Sequence, residues 1–305
     1  KQQQQQRGRT PRVVVLGAGL VARPLVRELR RCVDDVTVVA DLASDLAKFG
    51  ESVKVLQGRV PDVLPDVLDD TQTGNAGGGG NGNVVVISLL PPPLHGTVAR
   101  ACAHFGAHLV TASYASPEIK ELAESQFRPK GLLLVAEAGL DPGIDHASAV
   151  ELIAKKDDDN ATVVESFSSV CGGLFVGTTN ALSYKFSWSP RGVFAALREP
   201  ARYRKSGLVV DVGDVLRAEE PYLGFAAHDV RVLPNRDALP YAAIYGLEPS
   251  TDIFRGTLRF DGFASAVRGL RHLGYVRSTP GSTPGDDKDD DDDDAKARAV
   301  LAALG

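Results

Sequence analysis

The sequence predicts an α/β fold, in which a doubly wound parallel sheet is followed by a second, mixed α+β domain. Strands alternate with helices from residue 12 to residue 136, which is the order of a parallel sheet with helices on both faces. The first strand, Arg12–Leu16 (RVVVL), is a continuous apolar run, which is typical of strands buried on both faces. Beyond His146 the strands are longer and alternate more between polar and apolar residues, which favours an antiparallel sheet.

The elements of the first domain are predicted in chain order from apolar spacing and breakers. A helix over residues 21–31 and a strand over 36–39 follow the first strand. Three further strands are predicted at 84–90, 108–111 and 132–136, with helices at 94–105 and 117–127 between them. In the second domain we predict a helix at 147–156 and strands that include 162–170, 207–212 and 228–233.

Changes in composition divide the chain into four predicted segments. Residues 1–10 form a glutamine-rich disordered tail, 11–146 the parallel-sheet domain, and 147–277 the second domain. Residues 278–305 form a disordered acidic linker that ends in a short helix, because a run of aspartates repels itself and buries nothing. Within the first domain, residues 74–83 hold glycine and asparagine without apolar content, so we expect a flexible surface insertion there.

Composition excludes several classes of function. The net charge is −5, but residues 286–294 contain eight aspartates and one lysine, a net −7, so the rest carries +2. A nearly neutral body gives no sign of nucleic-acid or membrane binding, and no apolar run approaches the roughly 20 residues of a membrane helix. Three scattered cysteines and the lack of CxxC or HExxH motifs predict no metal site and a reducing compartment, either the cytoplasm or the mitochondrial matrix.

A glycine-rich turn follows the first strand, and its members are Gly17, Ala18, Gly19, Leu20, Val21 and Ala22. The pattern G-x-G-x-x-A between a strand and a helix is the Rossmann-type dinucleotide fingerprint, in which the small residues allow a tight turn and close approach of a pyrophosphate. Asp41 closes the second strand where an acid can accept hydrogen bonds from a ribose and repel a 2′-phosphate. We therefore predict NAD, with NADP as the less favoured cofactor. The alternatives are an ordinary strand–helix turn and, for Asp41, a plain loop or N-cap aspartate.

Eight motifs in order make the sequence similar to the glutamate-forming saccharopine dehydrogenase family. They cover about residues 12–275 and read VLGAGLVARP, VISLLP, VTASY, GLDPGIDH, CGGL, YKFSWSPRG, PNRD and RGTLRF. The resemblance implies a Rossmann-type domain joined to a substrate and dimerisation domain. It also implies oxidation of L-saccharopine with NAD and water to L-glutamate and L-2-aminoadipate 6-semialdehyde, in lysine metabolism. A homodimer and fusion to a lysine-ketoglutarate reductase are further expectations from the family.

The resemblance also implies roles for single residues. The catalytic cluster would be Tyr114, Asp141 and Cys171. Cofactor contacts beyond the glycine turn and Asp41 would be made by Leu90, Ala112, Ser113, Leu140, Asp141 and Pro142. The residues in contact with the substrate would be Ser113, Tyr114, Asp141, Arg236, Thr257, Leu258 and Arg259. The arginines suit saccharopine because it has three carboxylates and a guanidinium group binds a carboxylate with two hydrogen bonds.

Each of these roles has an ordinary structural alternative. Asp141 before Pro142 also reads as an N-cap with proline at the first helical position. Tyr114 reads equally well as a half-buried aromatic residue, and Cys171 as a small core residue. The arginines would be solvated surface charges in a chain without these motifs.

The sequence departs from the family pattern in two places. Residues 175–183 read FVGTTNALS, where the family has a proline- and acid-rich stretch bordering the substrate. Family members also continue well past residue 275, and the sequence has no methionine, so we expect this chain to be a piece of a longer protein. Two alternative functions stay open. One is a non-catalytic NAD-binding module, which would bind NAD without turnover, and the other is a related reductase of polyamine synthesis, whose substrate has fewer carboxylates.

Overall fold

A computed structural model describes residues 11–50, 53–69, 83–158, 163–175, 177, 180, 182–224, 229–272 and 276. The chain divides into two compact units, Lys1–Ile144 and Asp145–Gly305. The predicted tail at 1–10, nearly all of the predicted insertion at 74–83 and the predicted acidic linker at 278–305 lie outside the described residues.

The first unit contains a six-stranded parallel sheet. Its strands are β1 (Arg12–Leu16), β2 (Val36–Ala40), β3 (Lys54–Gln57), β4 (Val84–Ser88), β5 (His108–Thr111) and β6 (Leu134–Val135). They are arranged in the order β3-β2-β1-β4-β5-β6, and every neighbouring pair is parallel. This is the doubly wound order whose direction reverses between β1 and β4, and ligands bind beside the carboxyl ends of the strands at that point. The predicted fold class is therefore confirmed for this unit.

Helices cover both faces of this sheet. They are α1 (Ala22–Leu29), α2 (Ala43–Leu46), α3 (Val60–Leu68), α4 (His95–Phe105) and α5 (Pro117–Leu122). Val13 and Val15 of β1 belong to the apolar cluster that includes residues of α1 and α2, whereas Val14 and Leu16 belong to the cluster formed with α3, α4 and α5. Alternate side chains of one strand thus enter two separate cores, which explains why β1 reads as an unbroken apolar run.

Some boundaries and elements differ from the sequence-based prediction. The helix predicted at 117–127 ends at Leu122 and continues as a π turn and a 3-10 turn through Lys130. Strand β3 and helices α2 and α3 were absent from the prediction. All four residues of β3 are exposed, so this edge strand has no apolar alternation and is held by backbone pairing to β2.

The second unit contains a mixed sheet. Its strands are β7 (Ser166–Cys171), β8 (Ala201–Lys205), β9 (Leu208–Val212), β10 (Glu220–Pro221), β11 (Val230–Pro234) and β12 (Asp252–Phe260). The order is β10-β11-β12-β8-β9, and β7 also pairs with β12. The pairing of β7 with β12 is parallel and the other pairings are antiparallel, which confirms the predicted mixed second domain. The helices here are α6 (Ile144–Asp158), which begins at the boundary, α7 (Pro190–Ala196), α8 (Pro240–Ile244) and α9 (Phe263–His272).

Strand β12 is central to the second sheet because it pairs with three other strands. Its even-numbered residues include Leu258, which packs with Val230 and Val232. Its odd-numbered residues begin with the core residue Ile253 and continue as Arg255, Thr257 and Arg259. One face of a buried strand therefore carries three polar side chains in a row, which is where a polar ligand can be held.

Candidate functional site

The turn after β1 has the geometry that a dinucleotide requires. Gly17 has φ +97°, a conformation that L-residues other than glycine rarely adopt, and a Cβ there would lie 3.4 Å from the Leu89 carbonyl oxygen. Its N–H donates to the Val39 carbonyl at 2.8 Å, which ties the turn to the end of β2. A Cβ on Gly19 would meet nothing within 4 Å, so the space over its backbone is open. Ala22 is fully buried at the start of α1, so the helix packs closely on the sheet.

The N-terminus of α1 can receive a pyrophosphate. Its N-cap residue is Val21, and no side chain caps the helix. Leu20 and Val21 are exposed beside Gly19, whereas Ala18 is buried under the turn. Backbone N–H groups at an uncapped helix start and the helix dipole both favour a negative ligand. The open space above Gly19 and these donors fit the diphosphate of a dinucleotide.

Asp41 follows β2 directly, and its side chain is exposed. The Gln57 side-chain amide donates to the Asp41 backbone carbonyl at 3.2 Å, which anchors this backbone position to the end of β3. The carboxylate is therefore presented at the same carboxyl edge of the sheet as the glycine turn.

The predicted contacts after β4 and β5 are placed at that same edge. The Leu89 N–H donates to the Leu16 carbonyl at 2.9 Å, and Leu90 Cδ2 would lie 3.5 Å from a Cβ on Gly17. Ala112 is exposed and Ser113 is half-buried immediately after the last residue of β5. The structure thus brings the glycine turn and the loop residue Leu90 together at the switch point.

Tyr114 and Asp141 are brought together by a tight loop. The Tyr114 hydroxyl donates to Asp141 Oδ1 at 2.9 Å, and both side chains are half-buried. The loop closes on itself, because the Gly139 N–H donates to the Pro142 carbonyl and the Ile144 N–H to the Gly139 carbonyl, each at 3.0 Å. A Cβ at Gly143 would lie 2.2 Å from the Gly139 oxygen, so only glycine fits there. Residues 27 positions apart therefore form one hydrogen-bonded pair.

The alternative in which Asp141 is an N-cap is wrong. Helix α6 begins at Ile144, so Pro142 does not occupy the first helical position. Pro142 is buried and Leu140 is 63% exposed, which leaves Leu140 accessible to a ligand.

His95 is a residue at this edge that sequence reasoning missed. It is the first residue of α4, and only 3% of its surface is exposed. Ser88 Oγ lies 3.1 Å from Nδ1, and Ser113 Oγ and Thr111 Oγ1 lie 2.9 and 3.1 Å from Nε2. Burial lowers the pKa of His95 below its ordinary value of 6.5. The available signal was a histidine just after the strand-ending SLLPPPL segment.

In the second unit the structure brings together Cys171, Thr257 and Arg259. Cys171 ends β7 and pairs in register with Thr257 of β12. A Cβ at Gly172 would lie 2.6 Å from the Leu258 oxygen, so the glycine after Cys171 permits the close approach of the two strands. Cys171 and Thr257 are half-buried, and Leu258 and Arg259 are buried.

Arg259 is a buried guanidinium without a carboxylate partner among the described residues. It is 6% exposed and lies over the rings of Tyr184, at 4.7 Å, and Phe263, at 5.1 Å. Its Nη1 donates to the Leu258 carbonyl, and its Nε has no hydrogen-bond partner within the part of the chain that the structure describes. Burial lowers the pKa of Arg259, which the nearby Tyr184 and Cys171 oppose. A buried cation in this setting favours an anionic ligand.

Arg255 has a different environment on the same face of β12. Its Nη2 donates to Asp145 Oδ2 at 2.9 Å, and the pair is almost completely buried. The guanidinium also stacks on Tyr241 at 4.2 Å. Since its charge is already compensated by Asp145, we infer that Arg255 is structural.

Arg236 lies away from Arg259 along the sheet. It is exposed, has φ +57°, and follows β11 by two residues. The register pairs Arg231 with Arg259, and Arg236 lies five residues beyond Arg231 in the chain, past the end of β11. The two arginines are therefore anchored at different positions along the backbone of the second unit.

The described residues contain no group of three or more His, Cys, Asp or Glu side chains that could hold a metal ion. Across those same residues, no helix is long and apolar enough to cross a membrane.

Comparison with known proteins finds family models that match both parts of the chain. A family model described as the saccharopine dehydrogenase NADP binding domain matches residues 13–134, and one described as the saccharopine dehydrogenase C-terminal domain matches residues 139–303. The mitochondrial alpha-aminoadipic semialdehyde synthase of Rattus norvegicus is 37% identical over 87% of this chain. The NADP(+), L-glutamate-forming saccharopine dehydrogenase of Saccharomyces cerevisiae is 35% identical over 87% of it.

A solved structure shows the same fold. Apo saccharopine dehydrogenase (L-Glu forming) from Saccharomyces cerevisiae superposes with a TM-score of 0.72 at 34% identity, over 87% of this chain and 58% of that one. The chain spans 28% of the rat protein and 58% of the yeast protein.

Proposed function

The chain belongs to the saccharopine dehydrogenase family, and on that premise we propose that it oxidises L-saccharopine with a nicotinamide cofactor and water. The products are L-glutamate and L-2-aminoadipate 6-semialdehyde. The observation that carries the proposal is the hydrogen-bonded pair of Tyr114 and Asp141 in the first unit, whose sheet also presents the glycine turn at its carboxyl edge. This pair supports the proposal because an amine oxidation needs a proton acceptor, and a carboxylate in the unit that has the dinucleotide turn can serve as one.

The reaction requires a proton transfer at each stage. The nicotinamide would supply the hydride acceptor for the substrate carbon beside nitrogen. Asp141 then takes the proton of the secondary amine, and Tyr114, which donates to Asp141, holds that carboxylate in place. Water adds to the substrate imine, and return of a proton to the nitrogen releases glutamate and leaves the aldehyde. From the family resemblance we propose that Cys171 acts through hydrogen bonding and not as a nucleophile.

The carboxylates of saccharopine are assigned to the second unit. Arg259 and Thr257 lie on one face of β12, with the Leu258 backbone between them. Arg259 offers a guanidinium that no carboxylate occupies among the described residues, and Arg236 offers a second cation at a distance. An extended tricarboxylate has anionic groups at its ends, which suits two separated arginines. The same pattern speaks against the alternative of a reductase of polyamine synthesis, whose substrate has fewer carboxylates.

For the cofactor we propose NAD, with NADP less favoured. The exposed carboxylate of Asp41 can accept from both ribose hydroxyls and repels a 2′-phosphate. The yeast relative is named for NADP(+), and so is the family model of the first domain, so the choice depends on Asp41 alone. Ala112, Ser113, Leu140 and Pro142 would complete the cofactor contacts.

The proposal extends to partners and compartment. A homodimer and fusion to a lysine-ketoglutarate reductase are proposed from the family. The rat relative is named as mitochondrial, so the mitochondrial matrix is one proposed compartment and the cytoplasm is the other.

Substitution of the proposed base tests the function. Asp141→Asn keeps the shape and removes the proton acceptor, so we expect kcat for saccharopine oxidation to fall by a factor of about 10² to 10⁴ with NAD affinity retained. The matched control is Asp211→Asn on β9, a carboxylate that is 74% exposed and paired with Arg202 on the surface. Wild-type turnover that survives Asp141→Asn would remove Asp141 from the chemistry. Dinucleotide binding by a wild-type protein without any turnover would favour the non-catalytic alternative.

A further inference from the structure

His95 lies at the meeting point of two strand ends. Ser88 is the last residue of β4 and Thr111 the last of β5, and both hydroxyls contact the imidazole. The third contact is Ser113 Oγ, 2.9 Å from Nε2, in the loop that continues to Tyr114. The ring therefore connects the two strand ends to a loop side chain at the carboxyl edge of the sheet.

Burial and the contacts of the ring favour a neutral imidazole. The three side chains that contact the ring are hydroxyl groups, and within the described ranges no carboxylate contacts it to balance a positive charge. A neutral imidazole has one donor and one acceptor nitrogen, and hydroxyl groups can serve either role. Since Nδ1 is occupied by Ser88, Nε2 is the atom that meets Ser113 and Thr111. The Thr111 hydroxyl also accepts from the Ser113 N–H at 3.3 Å, so the backbone and side chain of Ser113 are both held.

We propose that His95 is a positioning residue that fixes the direction of the Ser113 hydroxyl at the nicotinamide and substrate edge of the site. The inference rests on the proposed function, in which Ser113 lines both cofactor and substrate. A serine hydroxyl rotates freely when it has no hydrogen-bond partner. Its hydrogen bond to Nε2 fixes that rotation, so the remaining donor and acceptor positions of the hydroxyl point in set directions. A preset hydroxyl spares the ligand the cost of ordering it.

Two substitutions of His95 distinguish the contribution of Nδ1 from that of Nε2. The amide of Gln reaches about as far as Nε2, whereas the amide of Asn reaches only about as far as Nδ1. His95→Gln therefore keeps a partner for Ser113, and His95→Asn keeps a partner for Ser88 alone. Loss of one neutral hydrogen bond corresponds to a factor of about 3 to 10 in affinity.

The experiment measures the NAD⁺ dissociation constant by fluorescence and the apparent KM for saccharopine. Ser113→Ala first identifies which of the two constants responds. We expect His95→Asn to raise that constant about 3- to 10-fold, His95→Gln to restore it to within about 2-fold, and His95→Asn to add nothing in the Ser113→Ala background. An equal effect of His95→Asn in the wild type and in the Ser113→Ala variant would overturn the proposal. It would also be overturned if Ser113→Ala changed neither constant, or if a folded His95→Asn protein left the responding constant unchanged.

A wild-type measurement keeps the inference testable if the histidine variants do not fold. In a protein with ¹⁵N-labelled histidine, NAD⁺ should shift the Nε2 resonance of His95, and Ser113→Ala should abolish the shift. A shift that persists in Ser113→Ala, or none in the wild type, rejects the role of Ser113. Absence of saccharopine turnover with these NAD⁺ responses intact rejects the proposed function alone.

Discussion

The stability of the protein should respond differently when each of the two buried arginines of β12 is replaced by methionine. Arg255 and Arg259 are four residues apart on one strand face, and both are almost fully buried. Arg255 has Asp145 at 2.9 Å, whereas Arg259 has aromatic rings and one backbone carbonyl. Methionine has a similar length and no charge, so it isolates the electrostatic contribution in each case.

For Arg259→Met we expect little or no loss of stability. Burial of a cation costs several kcal/mol, and its replacement by an apolar side chain of similar volume is often neutral or stabilising by about 1–4 kcal/mol. The lost ring contacts with Tyr184 and Phe263 offset about 1–2 kcal/mol of that gain. The affinity for saccharopine should fall, because a guanidinium–carboxylate contact contributes about 3 kcal/mol. Its loss corresponds to a rise of roughly 100-fold in the KM for saccharopine.

For Arg255→Met we expect a loss of about 3–5 kcal/mol in the free energy of unfolding, because the Asp145 carboxylate loses its buried partner. Urea denaturation measures both variants against the wild type, and steady-state kinetics give KM. A destabilisation of Arg259→Met as large as that of Arg255→Met would refute the claim that Arg259 has no structural counter-charge. An unchanged KM would refute its role in binding saccharopine.

Further predictions concern the cofactor, the substrate, the reacting pair and pH. The unaltered protein should prefer NAD⁺, and Asp41→Ser should improve the use of NADP⁺ in the kcat/KM ratio; equal use of both by the unaltered protein contradicts the assignment. Arg236→Ala should raise the KM for saccharopine by a factor of about 10 or more with the NAD⁺ dissociation constant unchanged, and an unaltered KM removes Arg236 from the site. Tyr114→Phe should lower kcat less than Asp141→Asn, since it removes only the hydrogen bond that holds the carboxylate; equal losses would indicate that the hydroxyl itself transfers a proton. Burial lowers the pKa of His95 in the folded chain below 6.5, so on acidification the unfolded chain takes up the proton first. The free energy of unfolding should therefore fall as the pH drops below about 6.5, by at most about 1.4 kcal/mol per pH unit. The melting temperature of His95→Asn should fall less over the same pH range.

The parallel sheet could be predicted because its strands carry a strong physical signal. Strand β1 is buried on both faces and ends in a turn whose φ is rarely adopted by residues other than glycine. The apolar run and the glycine after it together predict a strand followed by a dinucleotide-binding turn. The exposed edge strand β3 carries no such signal, since its stability comes from backbone pairing with β2 that no side-chain pattern records.

Parts of the candidate site depend on contacts distant in sequence. Tyr114 and Asp141 could be named from motifs, but their 2.9 Å hydrogen bond depends on a loop closed by Gly143. The RGTLRF segment was recognised only as a motif because its arginines obscure the strand pattern, yet it belongs to the central strand β12. His95 was missed because its three hydroxyl partners come from two strands and a loop.

The most direct test of the whole account is a stoichiometric assay with the purified chain, NAD⁺ and L-saccharopine. We expect NADH to appear only when saccharopine is present, with one glutamate and one aldehyde formed for each NADH. Tight NAD⁺ binding with no saccharopine-dependent NADH would contradict the account, and so would NADH formed without glutamate.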